Sequence, residues 1–349
     1  MQTSDMKTKK LKTLIKIIAF ALVAAVLLEV LSVTVFTKKN GGTAYRNHFN
    51  KTYSYFYEPD NSIQVLGIGN SDLYSGFVPT KLWEDYGYTS QMMGSPHQTP
   101  LQSYYYLKDI FQKQSPEVVI IELDMLYNST VDEAPEPEKN KLDVMFNYLD
   151  TDDFQAVIFN KLSIFTFHDM WKSIVNRDFD MRTPNSHGYK YFSAFKEVDV
   201  KPYMFKTDKV ESVHENRLHQ LDMMIDLCKQ KGCEFFFVEM PTMTSWNYER
   251  HNAAVQLAEK YGVDFVDLNL LTDEMGLDLE ISFRDDGNHL NYAGACTVTE
   301  YMGKYLRDNY NLENRANNPD YDYWNDSIAK FRKEMKKEDK RRADEQAEE

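Results

Sequence analysis

Polar positions are almost absent from Ile17 to Phe36, where Glu29 alone carries a charge. Twenty helical residues rise about 30 Å, the thickness of a bilayer's hydrocarbon core, so this run predicts one membrane-spanning helix. Further along, the pattern changes to short β-branched runs alternating with helical periods. Strands are predicted at Ile63–Ile68, Tyr88–Met93, Glu117–Leu123, Glu234–Val238 and Val263–Val266. Helices are predicted at Pro100–Gln112, Val213–Lys229, Asn252–Tyr261 and Tyr292–Leu306, with Gly232 and Gly262 as stops. Strands that alternate with helices argue for an α/β fold, a parallel sheet covered on both faces.

About ninety residues, Met125 to Ser212, interrupt this rhythm. A structureless loop of that length does not suit a compact domain, so the stretch reads as a cap-like insertion. Beyond Phe331 the apolar positions thin out into a Lys/Glu/Arg mixture, expected to be an exposed helix or disordered. The expected organisation is a basic segment over 1–16, an anchor over 17–36, a linker over 37–61, an α/β body over 62–312 with its insertion at about 125–212, and a charged tail over 313–349.

Charge sharpens the first two segments. The chain has 349 residues and a formal net charge of −14. Residues 1–39 carry seven lysines against Asp5 and Glu29, a balance of +5, which leaves −19 for the rest. Lys7, Lys9, Lys10, Lys12 and Lys16 precede the apolar run and only Lys38 and Lys39 follow it, which places the N-terminus in the cytoplasm and the body outside. A cleaved signal peptide is the competing reading. The run is longer than a signal's apolar region, and Val35-Phe36-Thr37-Lys38 is a poor cleavage site. Glu29 either faces a polytopic membrane partner or reaches the outer interface. The acidic body offers no net attraction to nucleic acid. Three cysteines are too few for a disulfide scaffold, and Cys228, Cys233 and Cys296 are expected as core thiols. No histidine pair has metal-ligand spacing, so neither metal nor cofactor is expected.

Two segments at the carboxyl ends of predicted strands could carry chemistry. Ser71, in Gly69-Asn70-Ser71-Asp72, ends the first strand and opens a helix whose backbone N–H groups could stabilise an oxyanion. A helix cap accounts for the same residues. Between the last strand and last helix lies Asp286-Gly287-Asn288-His289. A serine needs a base, and the base needs an acid to hold its tautomer. Asp286 and His289 can supply both, although Asp-x-x-His also arises by chance. The N–H of Gly94, after the second strand, is a further oxyanion donor or simply part of a turn.

In this order the segments resemble the SGNH/GDSL hydrolase superfamily. Gly-Asn-Ser-Asp-Leu around Ser71 matches its first block, Met-Gly-Ser-Pro around Gly94 its second, and Asp286-x-x-His289 its last. The resemblance implies a flavodoxin-like sheet, with Ser71 as nucleophile, His289 as base, Asp286 as its orienting acid, and Ser71 and Gly94 lining the oxyanion hole. The third block departs: Glu122-Leu123-Asp124 stands where the family has Gly-x-Asn-Asp, so an asparagine donor is missing. Anchor, insertion, Gly-Ser-Pro-His-Gln-Thr and the His-Leu-Asn ending are similar to the membrane-anchored DltD and AlgJ/AlgX-type branch. That branch works beside membrane-bound O-acyltransferases. The resemblance therefore implies acyl transfer, acetyl being the commoner case, onto a cell-surface polysaccharide or teichoic-type polymer. A polytopic O-acyltransferase would be the donor. An esterase that deacylates surface glycans and a non-catalytic scaffold of the same fold are the alternatives.

Overall fold

The computed structural model describes residues 2–36, 52–127, 162–168, 171, 185–194 and 196–348. The chain divides into two units, Met1–Asn47 with Pro135–Met181, and His48–Ala134 with Arg182–Glu349. In the first, α1 (Gln2–Thr34) contains the span Lys9–Thr34, 26 residues, within which an 18-residue stretch has a mean hydropathy of 2.7. That is long and apolar enough to cross a membrane, a test that a signal sequence also passes. Glu29 is exposed on this helix. Near its end, Ser163 Oγ donates to the Ser32 carbonyl at 3.0 Å and Ile164 N–H to Ser32 Oγ at 3.2 Å.

The second unit is built on β1 (Val65–Gly69), β2 (Ser90–Gly94), β3 (Val118–Glu122), β4 (Glu234–Glu239) and β5 (Phe265–Asp267). All pairings are parallel, in the order β2-β1-β3-β4-β5. This is the flavodoxin-like order expected. Every strand of the expected five is present, with ends displaced by at most two residues.

The order also fixes the faces. Between β1 and β2 come α2 (Ser71–Gly76) and α3 (Pro79–Tyr86). The helices α4 (Pro100–Ile110), α5 (Glu215–Lys231) and α6 (Tyr248–Tyr261) lead into β3, β4 and β5. The chain moves outward from β1 to β2 and then back past β1 to β3. Right-handed crossovers therefore put α2 and α3 on one face and α4, α5 and α6 on the other. Val65, Val118, Ile120, Phe236 and Val238 share a core with Leu73, Phe77, Leu82 and, from α7 (Tyr292–Asn309), Val298, Met302 and Leu306. The intervening Leu66, Ile68, Val119, Ile121 and Phe237 are as deeply buried, as two-sided coverage requires.

Three segments differ from the sequence expectation. Much of the insertion, 128–161 and 172–184, lies outside the described residues. Its described end belongs to the body: Met92 N–H donates to the His187 carbonyl, Lys190 N–H to the Tyr74 carbonyl and Lys196 N–H to the Phe283 carbonyl. Tyr189 is fully buried there. At the end of the expected linker, Tyr55 is buried and its hydroxyl donates to Asp109 Oδ2 at 2.7 Å. The tail forms α8 (Tyr323–Glu348), whose first turns are core: Trp324 stacks on Trp83 with ring centres 5.5 Å apart, and Ile328 and Phe331 are buried. The three cysteines are free thiols, Cys228 and Cys233 buried and Cys296 partly so.

Candidate active site

The chain reverses direction in the sheet between β1 and β3, and open α/β sheets place ligands at the carboxyl ends of the strands that flank such a point. Ser71 opens α2 directly after β1. Asn70 caps this helix, its Oδ1 accepting from Asp72 N–H at 2.8 Å while its Nδ2 donates to Asp124 Oδ2 at 2.7 Å. Gly94 pairs with Gly69 in the sheet, directly beside this turn. A Cβ on Gly94 would lie 2.9 Å from Tyr74 Cδ1 and 3.1 Å from the Asn70 carbonyl. The bare backbone at 94 is thus sterically required, and it borders the Ser71 turn.

His289 sits on a tight hairpin. Phe283 and Leu290 form an antiparallel bridge, and Arg284 N–H donates to the His289 carbonyl at 3.0 Å. Gly287 turns the chain at φ +86, a conformation that favours glycine. Within the turn Asp285 Oδ1 accepts from the N–H groups of Asn288 at 3.0 Å and His289 at 2.8 Å. Asp285 Oδ2 meets His289 Nδ1 at 2.6 Å. The carboxylate that holds the imidazole is therefore Asp285, and the expectation for Asp286 is corrected. Asp286 points outward, 82% exposed, and pairs with Lys196. The reason is the Gly287 turn, which folds the fourth residue before His289, not the third, back onto its ring. Burial alone would raise the Asp285 pKa, but the hydrogen bonds from His289 outweigh it and hold the carboxyl below its ordinary 3.8.

An Asp285 bond at Nδ1 makes Nε2 the nitrogen that can accept a proton, with Asn288 Nδ2 3.5 Å away. Nε2 faces the Ser71 turn, 3.6 Å from Asp72 Oδ1. Ser71 Oγ has no hydrogen bond to His289 in this state. Apo catalytic contacts of this kind commonly tighten only with substrate in place.

Behind the turn stands a group that local spacing does not reveal. Asp72, Glu122 and Glu239, from the carboxyl ends of β1, β3 and β4, are buried with one carboxylate oxygen of each within 4.8 Å of the others. Burial, and after it the charge of neighbouring carboxylates, Asp124 among them, raises all three carboxyls well above their ordinary values. Gly69 makes room for Glu122, since a Cβ there would strike its carboxylate. Asp124, at the departing third block, accepts from Asn70 and binds Arg250 Nη1 at 3.1 Å. It cannot donate to an oxyanion. Arg284, with a side chain only 8% exposed and Nη1 unpartnered, is a second buried cation near the site, 3.9 Å from Asp285. Asp285, Arg284 and the three buried carboxylates were missed from the sequence. The Asp285-Asp286 doublet was the one available signal.

The sequence matches no family model and no curated protein. Solved structures are similar at low identity. A GDSL-like lipase from Bacteroides thetaiotaomicron is 11% identical with a TM-score of 0.37, covering 76% of this chain and 98% of its own. A protein assigned as an acylhydrolase from Bacteroides fragilis is 13% identical with a TM-score of 0.36, covering 76% and 96%. A protein assigned to the lipolytic G-D-S-L family, from Desulfitobacterium hafniense, is 12% identical with a TM-score of 0.37, covering 70% and 99%. Such values say nothing about substrate or activity, and the assignment as an α/β chain with a flavodoxin-like parallel sheet rests on its strand order.

Proposed function

We propose that this chain is a membrane-anchored, extracytoplasmic serine O-acyltransferase of the SGNH type, acting on a cell-surface polysaccharide or teichoic-type polymer. The observation that carries the reading is the Asp285–His289 pair, aimed with Nε2 toward the turn that presents Ser71. In the first half-reaction Ser71 Oγ attacks the acyl carbonyl and its proton passes to His289 Nε2. Asp285 steadies the imidazolium, and the N–H groups of Ser71 and Gly94 face the developing oxyanion. Collapse expels the donor's leaving group, which takes the proton from His289 and leaves an acyl-serine. In the second half, His289 deprotonates a polymer hydroxyl that attacks this ester, and the expelled Ser71 Oγ takes that proton back from His289.

The anchor supports transfer over simple hydrolysis, because it keeps the site beside a polytopic O-acyltransferase that delivers the acyl group. Its lysine asymmetry supports an extracytoplasmic body, and Glu29 is a natural contact for that partner. In the rival hydrolytic reading, water resolves the same acyl-serine. A non-catalytic reading is motivated by the absence of a Ser71–His289 hydrogen bond and by the missing third-block donor.

A fluorophosphonate probe should label Ser71, and both Ser71→Ala and His289→Ala should abolish labelling. In cells, both variants should lose polymer acylation at unchanged protein level. Full acylation in both would overturn the catalytic reading. Rapid turnover of simple esters, with no transfer to oligosaccharide, would favour the esterase.

A further inference from the structure

We propose that Asp72, Glu122 and Glu239 form a binding site for one hard divalent cation of the Ca²⁺ or Mg²⁺ class, directly behind the Ser71 turn. The outer oxygens of these carboxylates are already engaged. Glu122 Oε2 accepts from Asn70 N–H at 2.5 Å, Glu239 Oε2 from Asp124 N–H at 2.9 Å, and Asp72 Oδ2 from Ser245 Oγ at 3.4 Å. The remaining oxygens, Glu122 Oε1, Glu239 Oε1 and Asp72 Oδ1, are buried and have no hydrogen-bond partner. The nearest basic nitrogen, His289 Nε2, stands 3.6 Å from Asp72 Oδ1, beyond hydrogen-bond reach, and three orphaned acceptors within one carboxylate cluster are unusual, because buried polar groups are nearly always satisfied.

Geometry and charge both suit a cation. Three ligand atoms no more than 4.8 Å apart can be reached from one centre at no more than about 2.8 Å, against Ca–O bonds of roughly 2.3–2.6 Å. Carboxylate oxygens are the ligands that hard cations select. The neighbouring guanidiniums do not fill the role. Arg250 is committed to Asp124 and to Glu211 Oε2, each at 3.1 Å. Arg284 approaches Asp285 at 3.9 Å. Buried charge of one sign without a counter-ion is costly, so it is paired, protonated or metal-bound. A bound ion would tie the carboxyl ends of β1, β3 and β4 together and hold the Asn70–Asp72 turn rigid. Water would complete its shell from the side of the partly exposed His289. The site stands independently of the acyl-transfer reading, because its test reads binding and not turnover.

The test uses the full chain in detergent at neutral pH, stripped with chelator and then titrated with CaCl₂ and, separately, MgCl₂. One ion should be retained per chain, with the melting temperature rising by several degrees in millimolar salt. Glu122→Gln and Glu239→Gln should each weaken binding about tenfold or more. Both should also melt higher than the wild type in chelator, because each removes a repelling buried charge. Asp286→Asn, an exposed carboxylate outside the cluster, should bind as the wild type does. Wild-type protein that retains no ion and melts at the same temperature in chelator and in either salt would overturn the proposal, leaving shared protons as the neutralising agent. Undiminished binding in both glutamine variants would overturn it equally, by locating the ion elsewhere.

Discussion

Asp285 and Asp286 are neighbours of identical chemistry, and one turn separates their roles. Asp285 is folded onto the imidazole at 2.6 Å, whereas Asp286 faces solvent against Lys196. Asp285→Asn should cut the rate of Ser71 labelling by roughly 10²–10⁴-fold, because an amide in place of the carboxylate favours the wrong imidazole tautomer. Asp286→Asn should label at close to the wild-type rate. The same pair predicts a pH effect. A carboxyl whose folded pKa is depressed contributes stability that is present above its unfolded pKa and lost as pH falls through the folded value. Asp285 lies below 3.8 in the fold, so its contribution should fade as the pH falls from about 5 through the ordinary carboxylate range to below the folded pKa. Asp285→Asn should lose less stability over that window than the wild type, as read from denaturant midpoints at each pH. The mutation removes the linked group, so an unchanged pH slope would refute the assignment.

Among the elements, α8 departs furthest from its sequence pattern. Read as a charged tail, it is mostly polar and only its first turns carry large apolar residues. Those turns decide its place. Trp324 is fully buried, stacking on Trp83 and, with ring centres 3.8 Å apart, on His187. Arg342 continues the contact, its guanidinium 3.6 Å from the centre of the Phe192 ring, and Tyr191 donates its hydroxyl to Asp339 at 2.9 Å. The helix thus clamps the 185–194 segment, which itself hydrogen-bonds to β2 through His187. Trp324→Ala should destabilise the folded chain by about 3–5 kcal/mol, the usual cost of emptying a large aromatic site. Chemical denaturation would measure it, and a loss below about 1 kcal/mol would mean that the helix is not part of the cooperative unit. The strands behave oppositely. β1, β3 and β4 were readable as short β-branched or aromatic runs because burial on both faces removes the need for polar alternation.

For the molecule as a whole, the charge asymmetry and the apolar helix make one further prediction. In the proposed orientation, with the N-terminus on the cytoplasmic side, a protease added outside intact cells should digest the body and spare an epitope placed before Lys7. Protection of the body instead would reverse the orientation. Residues 1–16 carry the lysines that set this bias, so replacing those lysines with glutamine should lower the fraction of chains inserted that way.

Local pattern was enough to determine the apolar span, the alternation of strands and helices, and the placing of Ser71 at a strand end and of His289 between the last strand and the last helix of the sheet domain. Each depends on residues within one turn or one strand of each other, where periodicity and caps act directly. Tertiary structure alone decided the rest. Strand order brought β1, β3 and β4 side by side, so Asp72, Glu122 and Glu239 meet although 50 and 117 residues separate them in the chain. The hairpin closed by Phe283 and Leu290 chose Asp285 over Asp286. Contacts between residues far apart in sequence are set by the packing of whole elements, and no local spacing encodes them.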